Sequence, residues 1–351
     1  MVWGVVMSPS FIVFLSVSFI GTVLVLLSNG LLGIWLCMEL AFFGFIPILN
    51  GKGVCENEAA SKYFIMQSVG SGILLVSFLL ISSSNFMYEG VMELIIDVFL
   101  MLGFLIKLGV FPMHFWFPTV MSSSSWFSCF WLSVMQKIGP FWGVSGLGMS
   151  YMLVSVFLLL AVITSLVGAV GGLAQVHFRP LLAYSSLGQM GWMSCILFLN
   201  LEMFIAYMFL YSLLLIALLM GLNMMSNQSI NESPGWGDLK GLTFWVFSGS
   251  YFISLAGVPP MAGFVLKFAG VFILVKVYPL FLIILLISSM ISLYFYLNML
   301  ISSLVCLGSM GYTSLSYNIF SRSVAFYVLA FNSVNWLGGL PLFLVAGFII
   351  S

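Results

Sequence analysis

The chain has 351 residues, of which 63% are hydrophobic and 5% are charged, and its formal net charge is zero. Soluble domains carry about 25% charged residues, so this composition predicts a polytopic membrane protein. The nine basic residues are scattered and balanced by nine acidic ones, which excludes the basic surface that nucleic-acid binding needs.

Segments of about 20 apolar residues, the length that crosses a bilayer as a helix, recur about eleven times along the chain. The connectors between them are short, so we predict an all-α protein with one transmembrane domain over residues 1–351 and no soluble domain. The N-terminal residues contain no basic side chain, so no cleavable signal or transit peptide is expected. The predicted spanning helices are residues 9–28, 30–50, 62–82, 91–111, 124–145, 151–172, 180–199, 202–225, 241–262, 277–303 and 324–349.

The cysteines and short motifs argue against a metal or cofactor site on this chain. The five cysteines are far apart and form no Cys-x-x-Cys pair, so we expect neither an iron–sulfur cluster nor a zinc site. The sequence also contains no G-x-G-x-x-G motif and no P-loop, which are the motifs that bind nucleotides and flavins. We expect the thiols to act as small buried hydrophobes.

Four charged residues lie inside stretches that are otherwise apolar: Glu39, Lys107, Lys137 and Lys267. On insertion scales, a charge at the centre of a bilayer helix costs about 2.5–3.5 kcal/mol. Such residues usually face the interior of a helix bundle or a wet cavity, where they mark an ion or proton path. These four are therefore the candidate functional residues.

Helix-breaking residues lie close to each of the three lysines. Pro112 and Pro140 follow two of them within the next five residues, and the prolines at 259–260 precede the third. Backbone groups freed at membrane depth need water or protein partners, so we predict two broken helices and a hydrated cavity beside each lysine. Segments 107–112 and 256–260 share a Gly-Val-x-Pro pattern, and breaks at matching points of two halves are typical of inverted-repeat transporters.

A buried lysine can exchange protons when its pKa lies near the working pH, since burial lowers the pKa of a lysine and a nearby carboxylate raises it. We predict a pair of this kind between Glu39 and Lys107, which would store a proton while paired. Lys137 and Lys267 have no carboxylate nearby in the sequence and are predicted relay sites. A structural alternative stays open: Glu39 could join neighbouring helices, and the lysines could extend to the headgroups.

Four further polar residues have two interpretations each, and a fifth has one. His114 and His177 lie beside predicted breaks or loops, where each is either a proton relay or a structural histidine. Glu93 and Asp97, one helical turn apart, either face water at the membrane edge or extend a proton path. Arg179 is expected to anchor the start of a helix at the interface.

Loops on one predicted face of the membrane carry most of the basic residues. Because basic loops stay on the cytoplasm-like side, we place the N-terminus on that side. Lys62, Lys240 and Lys276 are expected to extend to the interface. The basic face receives Lys52, Lys62, Arg179, Lys240 and Arg322, and the other receives Glu89, Glu93, Glu202 and Lys276.

Four motifs resemble the antiporter-like membrane subunits of respiratory complex I. They follow the family's order between positions 39 and 267, and the last part of the chain carries little of the pattern. By position, Glu39 and Lys107 match the family's Glu–Lys pair, Lys137 its central lysine and Lys267 its distal lysine. The motifs are Glu39, residues 107–118 with 136–140, residues 171–186 with 189–192, and residues 254–267.

The resemblance implies two inverted five-helix repeats with broken helices, approximately residues 9–145 and 151–303, and a C-terminal helix at 324–349. It also implies the mitochondrial inner membrane, basic loops toward the matrix, and partners among the other membrane-arm subunits and membrane lipids. NAD, FMN, iron–sulfur clusters and ubiquinone are expected elsewhere in the complex. On this chain the resemblance implies no cofactor, no metal and no directly bound soluble substrate.

One residue departs from the family pattern. The family often has histidine where this chain has Gln189, and glutamine does not titrate, so water or His177 would have to replace that proton step. The first hypothesis is a proton-translocating subunit of respiratory NADH:ubiquinone oxidoreductase. The alternatives are a free-standing cation/proton antiporter or antiporter subunit, and a scaffold subunit whose proton path is vestigial.

Overall fold

A computed structural model describes residues 9–51, 53–83, 91–146, 150–228, 239–259, 261–309 and 335. These residues form thirteen α-helices, and no strand occurs among them. In chain order the helices are α1 (Pro9–Leu27), α2 (Leu31–Leu49), α3 (Val54–Ser83), α4 (Val91–Leu108), α5 (Trp116–Ser123), α6 (Trp126–Ser133), α7 (Met135–Gly146), α8 (Tyr151–Leu173), α9 (Phe178–Leu199), α10 (Leu201–Gln228), α11 (Leu239–Ala256), α12 (Ala262–Val277) and α13 (Pro279–Ser309).

The prediction of an all-α membrane fold is confirmed. In the described part of the chain, seven helices are long and apolar enough to cross a membrane: α1, α2, α3, α8, α9, α10 and α13. A helix of 20 residues spans about 30 Å, the thickness of the hydrocarbon core. The predicted C-terminal helix at 324–349 lies outside the described residues, apart from Asn335.

One predicted helix was wrong in detail, and one helix was missed. The single helix expected at 124–145 is two helices, α6 and α7, which meet at Val134. Pro140, the expected breaker, lies inside α7 instead. Residues 262–277 form α12, which no predicted window covers, because Lys267 and Lys276 interrupt its apolar run.

Small residues bring neighbouring helices into close contact. A Cβ atom on Gly21 of α1 would lie 2.8 Å from Ala41 Cα of α2, and one on Gly44 would lie 2.8 Å from Ser18 Cα. Helices in lipid gain stability from this kind of close packing, because lipid tails are as apolar as the side chains they would replace. The α1–α2 pair therefore holds the middle of α2, which carries Glu39, at a fixed depth in the bundle.

Candidate functional site

Glu39 of α2 and Lys107 of α4 form a buried ion pair. The Lys107 Nζ lies 2.9 Å from Glu39 Oε1, and the two side chains are 3% and 11% exposed, respectively. At this distance the ammonium donates a charge-assisted hydrogen bond to the carboxylate. The two residues that the sequence predicted to pair, 68 positions apart, are brought into direct contact.

The helix that carries Lys107 stops just after it. Gly109 adopts a φ of +72°, and the Val110 N–H donates to the Leu105 carbonyl at 2.9 Å. A glycine in the left-handed region followed by a bond back across six residues is a Schellman stop, which favours glycine because other side chains are strained there. The predicted break near Pro112 therefore begins at Gly109.

Side chains from other helices satisfy the backbone at this break. Gln67 Nε2 of α3 donates to the Lys107 carbonyl at 3.3 Å, and the Trp116 indole of α5 donates to the Ile106 carbonyl at 3.1 Å. Carbonyls at the end of a helix have no partner within the helix, so at membrane depth they need partners of this kind. The break is held in place on both sides.

A small cavity lies between the ion pair and α7. The volume in which the centre of a water molecule fits is about 20 Å³, and the lining residues include Lys107, Gln67 and Gln136. A polar cavity of about 10–15 Å³ by this measure is enough for one water. Gln136 is itself fixed, since it accepts from the Tyr63 hydroxyl at 3.1 Å and donates to the Ala41 carbonyl at 3.2 Å.

Lys137 follows Gln136 directly and is only 3% exposed. Its Nζ lies 3.5 Å from the Ser186 carbonyl of α9, which is the long end of the hydrogen-bonding range, and 4.6 Å from the centre of the Phe117 ring. An ammonium over an aromatic face gains about 2 kcal/mol when both are desolvated. In the described part of the chain no carboxylate lies within 4.0 Å of this ammonium.

The second break separates α11 from α12 and holds Lys267. Gly257 adopts a φ of +82°, and the Val258 N–H donates to the Ile253 carbonyl at 3.4 Å. Lys267 Nζ reaches back from α12 and donates to the Ala256 carbonyl at 2.6 Å. Carbonyls at a helix C-terminus carry partial negative charge, so they are suitable partners for an ammonium.

Gln189 of α9 connects this second break to α10. Its Nε2 donates to the Leu255 carbonyl at 3.3 Å, and its Oε1 accepts from the Tyr207 hydroxyl. A cavity that offers about 10 Å³ to a water centre is lined by both Gln189 and Lys267. Ser186, which Lys137 contacts, lies one turn before Gln189 on α9.

These contacts and cavities lead from one polar residue to the next through the interior of the bundle. The ion pair adjoins the first cavity, the first cavity adjoins α7, Lys137 contacts α9, and α9 shares the second cavity with Lys267. We call this set the buried polar line: Glu39, Lys107, Gln136, Lys137, Ser186, Gln189 and Lys267.

Comparison with known proteins places the chain in a family. The family model for NADH:quinone oxidoreductase/Mrp antiporter transmembrane proteins matches residues 28–292. The NADH-ubiquinone oxidoreductase chain 2 of Lumbricus terrestris is 32% identical over 309 residues, which are 85% of this chain and 88% of that protein. The chain belongs to the NADH-ubiquinone oxidoreductase chain 2 family. The chain 2 protein of Locusta migratoria is 33% identical over 84% of this chain and 86% of its own length.

Two solved structures have the same fold as this chain 2 family member. A chain of respiratory complex I from Thermus thermophilus aligns with a TM-score of 0.75 at 20% identity, covering 97% of this chain and 80% of that one. A chain of the Mrp complex from Dietzia aligns with a TM-score of 0.76 at 15% identity, covering 95% of this chain and 75% of that one.

The two candidate histidines lie in different surroundings. His114 is buried at 6% exposure in the break after α4, where its ring lies 4.1 Å from the Phe115 ring. His177 is exposed at the N-cap of α9 and makes no side-chain capping bond. Neither lines the two cavities of the buried polar line. Their role as proton relays in this chain 2 family member stays a prediction.

Of the other predicted polar residues, Arg179, Asp97, Lys62 and Lys276 do not line the two cavities of the buried polar line. Arg179 stacks over the Trp126 ring at 4.7 Å, Asp97 is half-buried, and Lys62 and Lys276 are exposed. Lys52, Glu89 and Arg322 lie outside the described residues, and only the backbone is described for Glu93 and Lys240.

Sequence reasoning missed the tyrosine and glutamine partners of the site. Tyr63 and Gln67 are four positions apart on α3, so they share a helix face, and both donate to groups at the buried polar line. Tyr207 does the same from α10. The available signal was a polar group within an otherwise apolar run, which by itself does not tell a buried hydroxyl from one in the interface belt.

Proposed function

We propose that protons move through this chain along the buried polar line. Membership of the chain 2 family makes the chain a proton-translocating subunit of the membrane arm of NADH-ubiquinone oxidoreductase. The observation that carries the proposal is the Glu39–Lys107 ion pair at 2.9 Å, next to a cavity that leads to α7. Intramembrane charges that pair and face a cavity are typical of proton paths.

The residues have distinct roles in this proposal. Glu39 and Lys107 hold a proton while they are paired, and a change of charge on a neighbouring subunit would alter that pairing. Lys137 and Lys267 have no carboxylate partner among the described residues, so each takes up and passes on a proton through water. Gln136 and Ser186 position the groups on either side of Lys137.

The chain carries no redox chemistry in this proposal. NAD, FMN, iron–sulfur clusters and ubiquinone would bind to other subunits, and this chain would contact the other membrane-arm subunits and membrane lipids. The chain is a mitochondrial membrane protein. We further propose that it lies in the inner membrane with its basic loops toward the matrix, as the positive-inside rule favours.

The domain organisation belongs to the same proposal. Residues 9–145 and 151–303 would form two inverted repeats, followed by a helix at 324–349. In support, both breaks have a glycine with positive φ followed by valine, and the valine N–H donates five positions back.

The test of the proposal is Lys137→Ala in the assembled enzyme, with Lys276→Ala as the matched control. Lys137 is buried, whereas Lys276 lies exposed near the end of α12. We expect the first substitution to lower the number of protons moved per electron, measured in proteoliposomes during quinone reduction. The control should leave that ratio unchanged. An unaltered ratio in Lys137→Ala would refute the relay role.

A second candidate function is cation/proton exchange by the chain alone. The matching family model includes Mrp antiporters, and this is the observation that favours it. The purified chain in liposomes would then exchange sodium or potassium for protons without any other subunit. We prefer the first function because relatives at about 30% identity across most of the chain are chain 2 proteins.

A further inference from the structure

The side chain of Gln189 is held at both ends in the interior of the bundle. Its Oε1 accepts from the Tyr207 hydroxyl and its Nε2 donates to the Leu255 carbonyl at 3.3 Å. Gln189 is 8% exposed and Tyr207 is 2% exposed, so solvent outside the bundle does not reach either contact. Breaking one contact without a new partner would leave a buried polar group unsatisfied.

The held amide lies between the two halves of the buried polar line. On one side, the Ser186 carbonyl, one turn earlier on α9, is the group that Lys137 contacts. On the other side, Gln189 and Lys267 line the same cavity. The acceptor of the amide, Leu255, directly precedes Ala256, whose carbonyl accepts from Lys267. The amide therefore lies on the route from the Ser186 carbonyl to the cavity of Lys267.

An amide does not take up or release protons near neutral pH, and this one already uses its oxygen and one N–H in fixed contacts. On this route a proton passes when water replaces one of these contacts and forms a hydrogen-bonded chain across the gap. We propose that Tyr207 and Gln189 form a gate: the tyrosine hydroxyl holds the amide across the passage, and rotation of the amide opens it to water. This gate rests on the proposed function of the buried polar line.

The second break supplies a physical link between the gate and Lys267. The Leu255 and Ala256 carbonyls are consecutive at the end of α11, and one accepts from Gln189 while the other accepts from Lys267. Movement of the Lys267 ammonium away from its carbonyl frees a group beside the gate acceptor. Tyr207 is thus a positioning residue, because it acts on the proton only through Gln189.

The first test is Tyr207→Phe in the assembled enzyme, with Tyr251→Phe as the matched control. Tyr251 lies on α11, is equally buried at 2% exposure, and lines neither cavity of the buried polar line. We expect the first variant to show a passive proton leak across proteoliposomes several-fold above the control, with quinone reduction retained. Equal leaks in the two variants would overturn the gate.

A double variant separates a released gate from damaged packing. Gln189→Met has similar length but no polar atoms, so it should close the passage to water. Tyr207→Phe combined with Gln189→Met should therefore lose the leak, and Gln189→Met alone should lower the protons moved per electron. A leak that persists in the double variant would show damaged packing and refute the gate.

Gln189→Met also decides the matter if Tyr207→Phe fails to assemble, because a normal proton-to-electron ratio in it would refute the gate. The gate and the proposed function fail in different ways. If Lys137→Ala lowers proton transfer while Tyr207→Phe and Gln189→Met behave like the wild-type chain, the proton path stands and the gate falls.

Discussion

Helices α4 and α11, which precede the two breaks, end with the same local backbone geometry. At each, a glycine has positive φ, +72° at Gly109 and +82° at Gly257, and the N–H of the following valine donates five positions back. At each, a buried glutamine donates at 3.3 Å to a carbonyl of the helix end, from Gln67 in one case and Gln189 in the other. The backbone scaffold of the two regions is thus closely similar.

The two breaks differ in the group that interacts with the positive charge of the lysine. Lys107 lies in the last turn of the helix before its break and meets the Glu39 carboxylate, so the pair is neutral as a whole. Lys267 comes from the helix after its break, and the partner that its ammonium has among the described residues is the Ala256 carbonyl, at 2.6 Å. The same backbone geometry therefore holds a compensated charge pair at one break and a single cation beside backbone carbonyls at the other, and the two breaks should respond differently to mutation.

The largest expected effect comes from removing one partner of the compensated pair. Glu39→Met leaves the Lys107 ammonium buried beside an apolar side chain, and breaking a buried pair in this way costs about 3–5 kcal/mol. We expect a marked fall in the thermal stability of the chain in the purified enzyme, together with a lower proton-to-electron ratio.

The matched variant is Glu39→Met combined with Lys107→Met, which replaces the whole pair by apolar side chains. Such replacements are often neutral or stabilising, so stability should return while proton transfer stays low. If the single and double variants are equally unstable, the loss comes from packing around position 39 and the compensated-pair interpretation is wrong.

The sequence was sufficient to predict the partner of Lys107 but not the partner of Lys267. The apolar background made Glu39 and Lys107 conspicuous, and spacing against family motifs was enough to predict their pairing, which the structure shows at 2.9 Å. The partner of Lys267 could not be predicted in the same way. It is a backbone carbonyl, and every residue has one, so the amino-acid sequence does not identify Ala256 as the acceptor.

The helix ends show the same limit. The Gly-Val-x-Pro pattern located both breaks, because glycine and proline have strong local conformational preferences. The helix from 262 to 277 was missed, since its lysines lowered the apolar count even though the bundle buries Lys267. Tertiary contacts supply what the local pattern lacks, and the predicted repeats at 9–145 and 151–303 stay a prediction.

An effect of intermediate size on the proton-to-electron ratio is expected when Gly109 and Gly257 are each replaced by alanine. Alanine at either position must adopt positive φ, at a cost of about 1–2 kcal/mol in each case. At Gly257 the new Cβ would also lie 2.7 Å from Lys267 Cδ, whereas at Gly109 the nearest atoms are 3.5 Å away. We expect similar thermal stability for Gly257→Ala and Gly109→Ala, but a larger loss in proton-to-electron ratio for the first.

The expected difference between the two alanine variants arises because the Lys267 side chain can move. The Lys267 stem is flexible, so it shifts away from the added methyl group and carries its ammonium off the Ala256 carbonyl. Equal ratios in the two alanine variants would mean that the position of this ammonium does not limit proton transfer. The contrast between the two breaks would then have no functional meaning.

The smallest effect is expected at the other lysine–glutamate pair of the described residues. Lys62 Nζ and Glu58 Oε2 are 3.8 Å apart, and their side chains are 53% and 62% exposed. Exposed pairs one helical turn apart contribute only about 0.3–0.5 kcal/mol, because water and salt screen them. Glu58→Gln should therefore leave both thermal stability and the proton-to-electron ratio of the assembled enzyme unchanged. The two pairs share their chemistry and differ chiefly in burial and distance. A loss as large as that of Glu39→Met would therefore mean that burial of the charge pair is not what makes it important for proton transfer.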